Sequence, residues 1–206
     1  MAGEREAHWA RVYSTGAETS VSWYQDEPRV SLAMIARACS PPARIIDVGG
    51  GTSYLAERLL VQGYRVGVLD ISDEPLKVVR KRLGDAAAEV ECFVADATAF
   101  VSPHPWDVWH DRAVFHFLTD ARDRRKYRKA ILAATAPGSQ LIIATFGPEG
   151  PEQCSGLPTM RYSPADLHRE LGPLFELLET EWEDHHTPGG KVQQFVYTRF
   201  GRRSQV

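Results

Sequence analysis

Arg44-Ile45-Ile46-Asp47-Val48-Gly49-Gly50-Gly51-Thr52-Ser53 is the stretch on which the reading of this chain turns. Residues 45–48 are a short, mostly apolar run, the mark of a buried strand, and they lead into three glycines. Over 52–62, apolar residues stand at 55, 56, 59 and 60, which is helical spacing, and Gly63 ends the run. Strand, glycine turn and helix in that order open a nucleotide-type crevice. Glycines let the backbone approach a ligand with no Cβ in the way, and the helix start offers unpaired N–H groups.

Ahead of this stretch, residues 4–13 read as a short helix with Trp9 and Tyr13 on one face. Residues 20–25 are an aromatic segment without a clear period. A second helix is expected over 27–39, closed by Pro41-Pro42. These two helices form an added cap, residues 1–40, on a core of 41–206.

Beyond the glycines, strands and helices alternate. Strands are expected at 64–71, 90–95, 106–110 and 140–146. The helix after the first of these has Ser72 as N-cap, Pro75 in its first turn and Leu76, Val79 and Leu83 as its buried stripe. A charged helix over 122–135 ends at Pro137-Gly138. Apolar strands joined by helices mean a parallel sheet covered on both faces. A loop rich in Gly and Pro, 147–159, leads to a short helix over 164–171. Two long strands, 174–183 and 191–199, then form a hairpin that puts one antiparallel strand into the sheet. In the first of them Leu178, Thr180 and Trp182 alternate with Glu179, Glu181 and Glu183, the signature of a strand with one wet face.

The totals narrow the function. A chain of 206 residues with 43% hydrophobic content suits one domain. Its net charge of −3 supplies no global basic field, so neither nucleic acid nor an anionic membrane surface is expected as a partner. No apolar run reaches the roughly 18 residues of a membrane span. The charged start, Met-Ala-Gly-Glu-Arg-Glu, is unlike a secretory signal. Cys39, Cys92 and Cys154 are scattered and odd in number, which argues against a disulfide framework. A cytoplasmic protein is the expectation, with its oligomeric state unread.

The residues after the glycines decide which ligand the crevice holds. The dinucleotide fingerprint wants a small residue where Tyr54 stands, and the phosphate-loop motif wants a Gly-Lys-Ser/Thr that this chain lacks. Three acidic residues are more telling. Asp47, Asp70 and Asp96 lie at or near the ends of successive strands, along the edge where open α/β sheets bind ligands. Any one of them can serve only to cap the next helix; three in succession after a glycine turn point to a ligand.

This layout resembles the class I S-adenosylmethionine-dependent methyltransferases, whose first motif is acidic-x-Gly-x-Gly-x-Gly. The match is Asp47-Val48-Gly49-Gly50-Gly51-Thr52-Ser53, with Ser53 in place of the last glycine, where it can serve as a helix N-cap. The resemblance covers residues from about 40 to 200 and implies a Rossmann-like α/β fold. That fold is a seven-stranded, mostly parallel sheet with helices on both faces, the last strand antiparallel, under an N-terminal helical cap. It implies S-adenosyl-L-methionine as cofactor, held by Asp47, Gly49, Gly50 and Gly51, by Asp70 and Ile71 at the ribose, and by Asp96 and Ala97 at the adenine.

Methyl transfer is an in-line displacement, so the protein must orient donor and acceptor and keep water out. In the family resembled, the fourth strand end lies beside the methyl group. Here that region offers Asp111, for the cofactor's ammonium group or for orienting the acceptor, Arg112 for a carboxylate, and His116 as a base with a near-neutral pKa. A histidine simply packed on a helix is the plainer alternative. Trp9, Tyr13, Trp23 and Tyr24 suit a lid, because aromatic faces exclude water and attract a sulfonium cation. Tyr13, Cys154, Arg161 and Tyr162 are the candidate acceptor-binding residues. The loop holding Cys154 is loosely similar to that of the thiopurine and thiol methyltransferase branch. Arg161 has Glu149 and Glu152 as nearer partners, and Cys154 lacks the close ligand pair that a metal site with His185 and His186 would need. The basic run 122–129 reads as a solvated helix face.

The expected function is methyl transfer to a small molecule. A protein lysine methyltransferase and a non-catalytic partner subunit that keeps the fold are the rivals.

Overall fold

The computed structural model describes residues 2–15 and 18–204; the outermost positions of the expected domain, 1, 205 and 206, and positions 16 and 17 in the cap lie outside the described residues. In chain order the helices are α1 (Ala2–Thr15), α2 (Arg29–Ala38), α3 (Leu55–Val61), α4 (Asp73–Leu83), α5 (Ala121–Ala134) and α6 (Pro164–Leu171). The strands are β1 (Arg44–Val48), β2 (Arg65–Asp70), β3 (Val90–Val94), β4 (Trp106–Arg112), β5 (Thr135–Phe146), β6 (Gln153–Cys154), β7 (Leu157–Pro158), β8 (Phe175–His186) and β9 (Val192–Arg202).

Seven of the strands make one sheet in the order β3-β2-β1-β4-β5-β9-β8. β1 to β5 run parallel, and β9 is antiparallel to both of its neighbours, β5 and β8. β1 stands between β2 and β4, where the strand order reverses; in such sheets the crevice at that switch point receives ligands. The register sets Val48 beside Leu69 and Asp111, so the carboxyl ends of the three strands rise together.

Each sheet face is covered. One core gathers Met34, Ile35, Leu55, Leu59 and Leu76 from α2, α3 and α4 against Ile45, Val66 and Val108. The other packs Tyr127, Ile131, Leu167 and Leu171 from α5 and α6 against Trp106, Trp109, Leu141 and Phe200. Trp109 and Tyr127 are wholly buried and joined by an indole N–H to hydroxyl bond of 3.0 Å.

Local chemistry moves three boundaries. α3 begins at Leu55, later than the periodicity suggests, because Gly50 to Ser53 closes a turn through a Ser53 N–H to Gly50 carbonyl bond of 3.0 Å. Ser53 still contributes, its hydroxyl accepting the Leu55 N–H at 3.1 Å. β4 runs on to Arg112, which places Asp111 inside the strand. In β8 the alternation is kept, and the row carrying Leu178 and Trp182, 47% and 50% exposed, is the wet one. The glutamates turn the other way because arginines wait for them: Glu179 meets Arg37 of α2 and Arg199 of β9 at 2.8 and 2.7 Å, and Glu181 meets Arg37 at 2.9 Å.

Candidate active site

The glycine bend lies flat on the strand tops. The Gly49 N–H donates to the Leu69 carbonyl oxygen at 2.6 Å, folding the chain back over β2. Gly49 and Gly51 have φ of +64° and +54°, which side chains rarely adopt, and a Cβ at either would collide, with Val114 and with the Tyr13 hydroxyl respectively.

Asp70, 4% exposed, ends β2 beside this bend. Its carboxylate accepts the Gly51 N–H at 3.1 Å and the Ser72 N–H at 2.9 Å. Burial pushes its pKa up to about 7, the charge of Asp47 adds to the rise, and the backbone N–H groups oppose it. Asp96 lies just past β3. One of its oxygens accepts from the Thr98 N–H and hydroxyl, each at 2.8 Å, and the other accepts from Arg5 of α1, also at 2.8 Å. The same guanidinium reaches Asp123 of α5 at 3.0 Å, so the cap helix is strapped across the top of the third strand.

A cavity of about 870 Å³, its open mouth included, runs along these tops. It passes Asp96 and Ala97, then Asp70 and Ile71, crosses Gly49, and ends among Arg112, Cys154, Gln193 and Phe195. Trp9, Tyr13 and Trp23 of the cap line it too. Trp9 packs edge-on to Trp23 and Phe117, with ring centroids at 5.7 and 5.1 Å. Burial first, then the charges of Asp70 and Asp47, hold the Tyr13 hydroxyl protonated well above its ordinary range.

A second cavity, about 500 Å³ with its mouth, shares Trp23, Gly49 and Arg112 with the first and adds Tyr24, Gln25, Asp47 and Gly50. A buried relay lines it: Asp47 Oδ1 lies 2.8 Å from His110 Nδ1, and His110 Nε2 lies 2.9 Å from the Ser31 hydroxyl. None of the three is more than 4% exposed. The relay ties α2 to β1 and β4 directly beneath the glycine bend.

Arg112 anchors the far end. Its Nε donates to the Tyr197 hydroxyl at 2.7 Å and its Nη1 to the Trp23 carbonyl oxygen at 3.0 Å, while the guanidinium lies over the Phe195 ring at 4.5 Å. Nη2 stands 3.7 Å from Glu183, an ion pair beyond hydrogen-bond reach, and has no hydrogen-bond partner. Ala113 next turns the chain sharply at φ 75°, a strained value for a residue with a side chain.

Five residues singled out from the sequence are not brought to either cavity: Gly51, whose N–H is taken by Asp70, and four with larger side chains. Asp111 is wholly buried and faces inward, accepting from the Val114 and Phe115 N–H groups and from the Tyr127 hydroxyl. It fixes the turn after β4 and has no face left for a ligand. His116 is also wholly buried, stacked on Phe146 with centroids 4.4 Å apart. Burial, then Arg112, lowers its pKa to about 3, so it stays neutral and enclosed. Arg161 is at the surface on Glu152, at 2.9 Å. Tyr162 is buried against Phe115. Lining residues that the sequence reading passed over are Arg5, Phe146, Gln193 and Phe195, with His110 and Ser31 in the second cavity. Gln193 shares a face of β9 with Phe195 and Tyr197, but Val196 and Thr198 on the other face are buried too, so alternation alone gave no signal for it.

The arrangement can hold a long ligand across three strand tops, meeting carboxylates at two of them, and seat a second molecule against aromatic walls. The polar lining is Arg5, Asp96, Thr98, Asp70 and Tyr13 along the strand tops and Arg112, Cys154 and Gln193 at the far end, with apolar side chains between. Among the described residues no group of three His, Cys, Asp or Glu stands close enough to hold a metal ion. No described helix is long and apolar enough to cross a membrane.

Residues 45–138 match the family model described as a methyltransferase domain. The ubiquinone/menaquinone biosynthesis C-methyltransferase of Proteus mirabilis is 27% identical over 106 residues, 50% of this chain and 42% of that protein. The match thus spans less than half the length of that relative. A solved chain from work on the conversion of a disulfide bond into a thioacetal group during echinomycin biosynthesis superposes with a TM-score of 0.78 at 19% identity, covering 97% of this chain and 92% of that one. The Burkholderia thailandensis 1,6-didemethyltoxoflavin-N1-methyltransferase, solved with bound 1,6-didemethyltoxoflavin and S-adenosylhomocysteine, gives 0.70 at 16% identity, covering 98% of this chain and 85% of that one.

Proposed function

We propose that this chain, which belongs to the class I S-adenosylmethionine-dependent methyltransferases, transfers the cofactor's methyl group to a small-molecule acceptor. The observation that carries the reading is the continuous cavity from Asp96 and Asp70, across Gly49, to the far end at Arg112 and Gln193. In this reading residues 1–40 cap a core of 41–206.

When bound, the cofactor supplies an activated methyl group on a sulfonium. Asp70 accepts from the ribose hydroxyls, and Asp96 accepts from the adenine amino group. Asp47, lining the second cavity beside Gly50, is the carboxylate for the ammonium group, the role first assigned to Asp111. Trp9 and Trp23 keep water out and offer aromatic faces to the cation. Arg112 and Gln193 orient the acceptor.

Neither Asp111 nor His116 reaches the cavity, so the acceptor atom is nucleophilic without a protein carboxylate or imidazole to take its proton. The chain then acts by holding two molecules in line. An enclosed, aromatic-walled acceptor end favours a small molecule over a protein side chain.

Two measurements test this. Calorimetry should show saturable binding of S-adenosylhomocysteine, and its absence would overturn the reading. A cell extract passed through a protein-retaining filter should accept labelled methyl groups in the filtrate; label confined to the retained fraction means a protein acceptor.

A further inference from the structure

Asp47, His110 and Ser31 come from three elements and meet in one buried line. The register of β1 and β4 sets Asp47 beside His110, with Nδ1 of the ring 2.8 Å from Asp47 Oδ1 and Nε2 2.9 Å from the Ser31 hydroxyl. A carboxylate only accepts, so Nδ1 carries a proton, and Nε2 is left to accept from the serine hydroxyl. A ring bonded in that way is neutral. An arginine or lysine in its place would cancel the charge of Asp47; this ring only fixes the carboxylate. The other oxygen, Oδ2, lies under the glycine bend, 2.8 Å from where a Cβ on Gly50 would stand. The Asp47 side chain is 5% exposed and lines the second cavity. Arg112, a cation lining the same cavity, is tied instead to Tyr197, the Trp23 carbonyl and Glu183.

We infer that His110 and Ser31 are positioning residues for the cofactor's amino-acid tail: Ser31 orients His110, and His110 holds Asp47 Oδ1 so that Oδ2 meets the ammonium group. This rests on the function proposed above, which gives Asp47 that role. Without the imidazole donor a buried carboxylate turns to another donor or takes up a proton, and in either case the ammonium group loses its partner. The adenosine half is met by Asp70 and Asp96, on other strand ends, and does not depend on the relay.

The experiment is calorimetric titration of the full chain with S-adenosylhomocysteine and with 5′-methylthioadenosine, a thioether nucleoside without the amino-acid tail. The ratio of the two affinities reports the grip on the tail alone. His110→Leu should lower that ratio about tenfold, or ~1.4 kcal/mol, by weakening S-adenosylhomocysteine while 5′-methylthioadenosine binds as before. His110→Asn, whose amide nitrogen stands close to where Nδ1 stood, should restore most of the ratio. Ser31→Ala keeps the imidazole, and so serves should the leucine variant not fold; it should lower the ratio about threefold. A merely structural role would weaken both nucleosides alike. That result, an unchanged ratio in the variants, or an asparagine variant no better than the leucine one would overturn this inference alone. Equal affinity of the two ligands for the wild-type chain would overturn it together with the ammonium role of Asp47. Failure of both ligands to bind would overturn the parent reading and this one with it.

Discussion

Asp70 carries opposite demands from the fold and from a ligand. The folded chain holds its proton up to about pH 7, against an ordinary value of 3.8, with burial as the main cause. Between those values the native state binds more protons than the unfolded chain, so this group lowers stability as pH rises through the window. Ribose hydroxyls instead donate to the ionised carboxylate. Affinity for S-adenosylhomocysteine should therefore tighten as pH rises from about 6 to about 8, and Asp70→Asn should bind weakly with no such dependence. Calorimetry across that range decides it; a flat wild-type profile, or a variant that keeps the slope, would contradict it. His116 has the reverse sign. Its pKa is depressed from 6.5 to about 3, so the unfolded imidazole takes up a proton over that window and the native one does not, and stability falls as pH falls through it. Asp70 was legible in the sequence because it closes an apolar run after a glycine turn. The fate of Asp111 and His116 was not, because whether a polar side chain faces a cavity or caps a turn depends on one more residue of β4 and on Tyr127, sixteen positions away.

At the scale of elements, the cap is the part most exposed to test. α1 reaches the site through Arg5 on Asp96 and through Trp9 and Tyr13 along the cavity. Deleting residues 1–25 should abolish S-adenosylhomocysteine binding while the remaining chain still unfolds cooperatively on heating; binding that survives the deletion would mean the cap is not a lid. Trp9 and Tyr13 were readable as one helical face. Arg5 was not, since a charged residue in a charged helix start looks solvated until its partners, 91 and 118 positions on, are known. β8 teaches the same lesson. Its period was plain, yet the half-buried side of the glutamates is set by Arg37 and Arg199 from other elements. An isolated exposed pair of this sort contributes only about 0–1 kcal/mol, but here three arginine contacts converge on one row and turn it.

Across the whole molecule, strand order does the work that no single residue does. Setting β1 between β2 and β4 brings Asp47, Asp70 and the bend to one edge, and β9, entering antiparallel beside β5, delivers Gln193 and Phe195 to the far end. The parallel half was legible from the alternation of apolar runs and helices. Of the acceptor end, Arg112 and Cys154 were named from the sequence; Gln193 and Phe195 were not, because β9 shares no motif with the segments it meets there. Fold and site converge on where a cofactor would lie. A crystal structure of the full chain with S-adenosylhomocysteine tests it most directly. Density for adenosine should cross the glycine bend, with its ribose within hydrogen-bond reach of Asp70 and its adenine amino group within reach of Asp96. The ligand in any other place, or a cavity without adenosine at saturating ligand, would contradict the account.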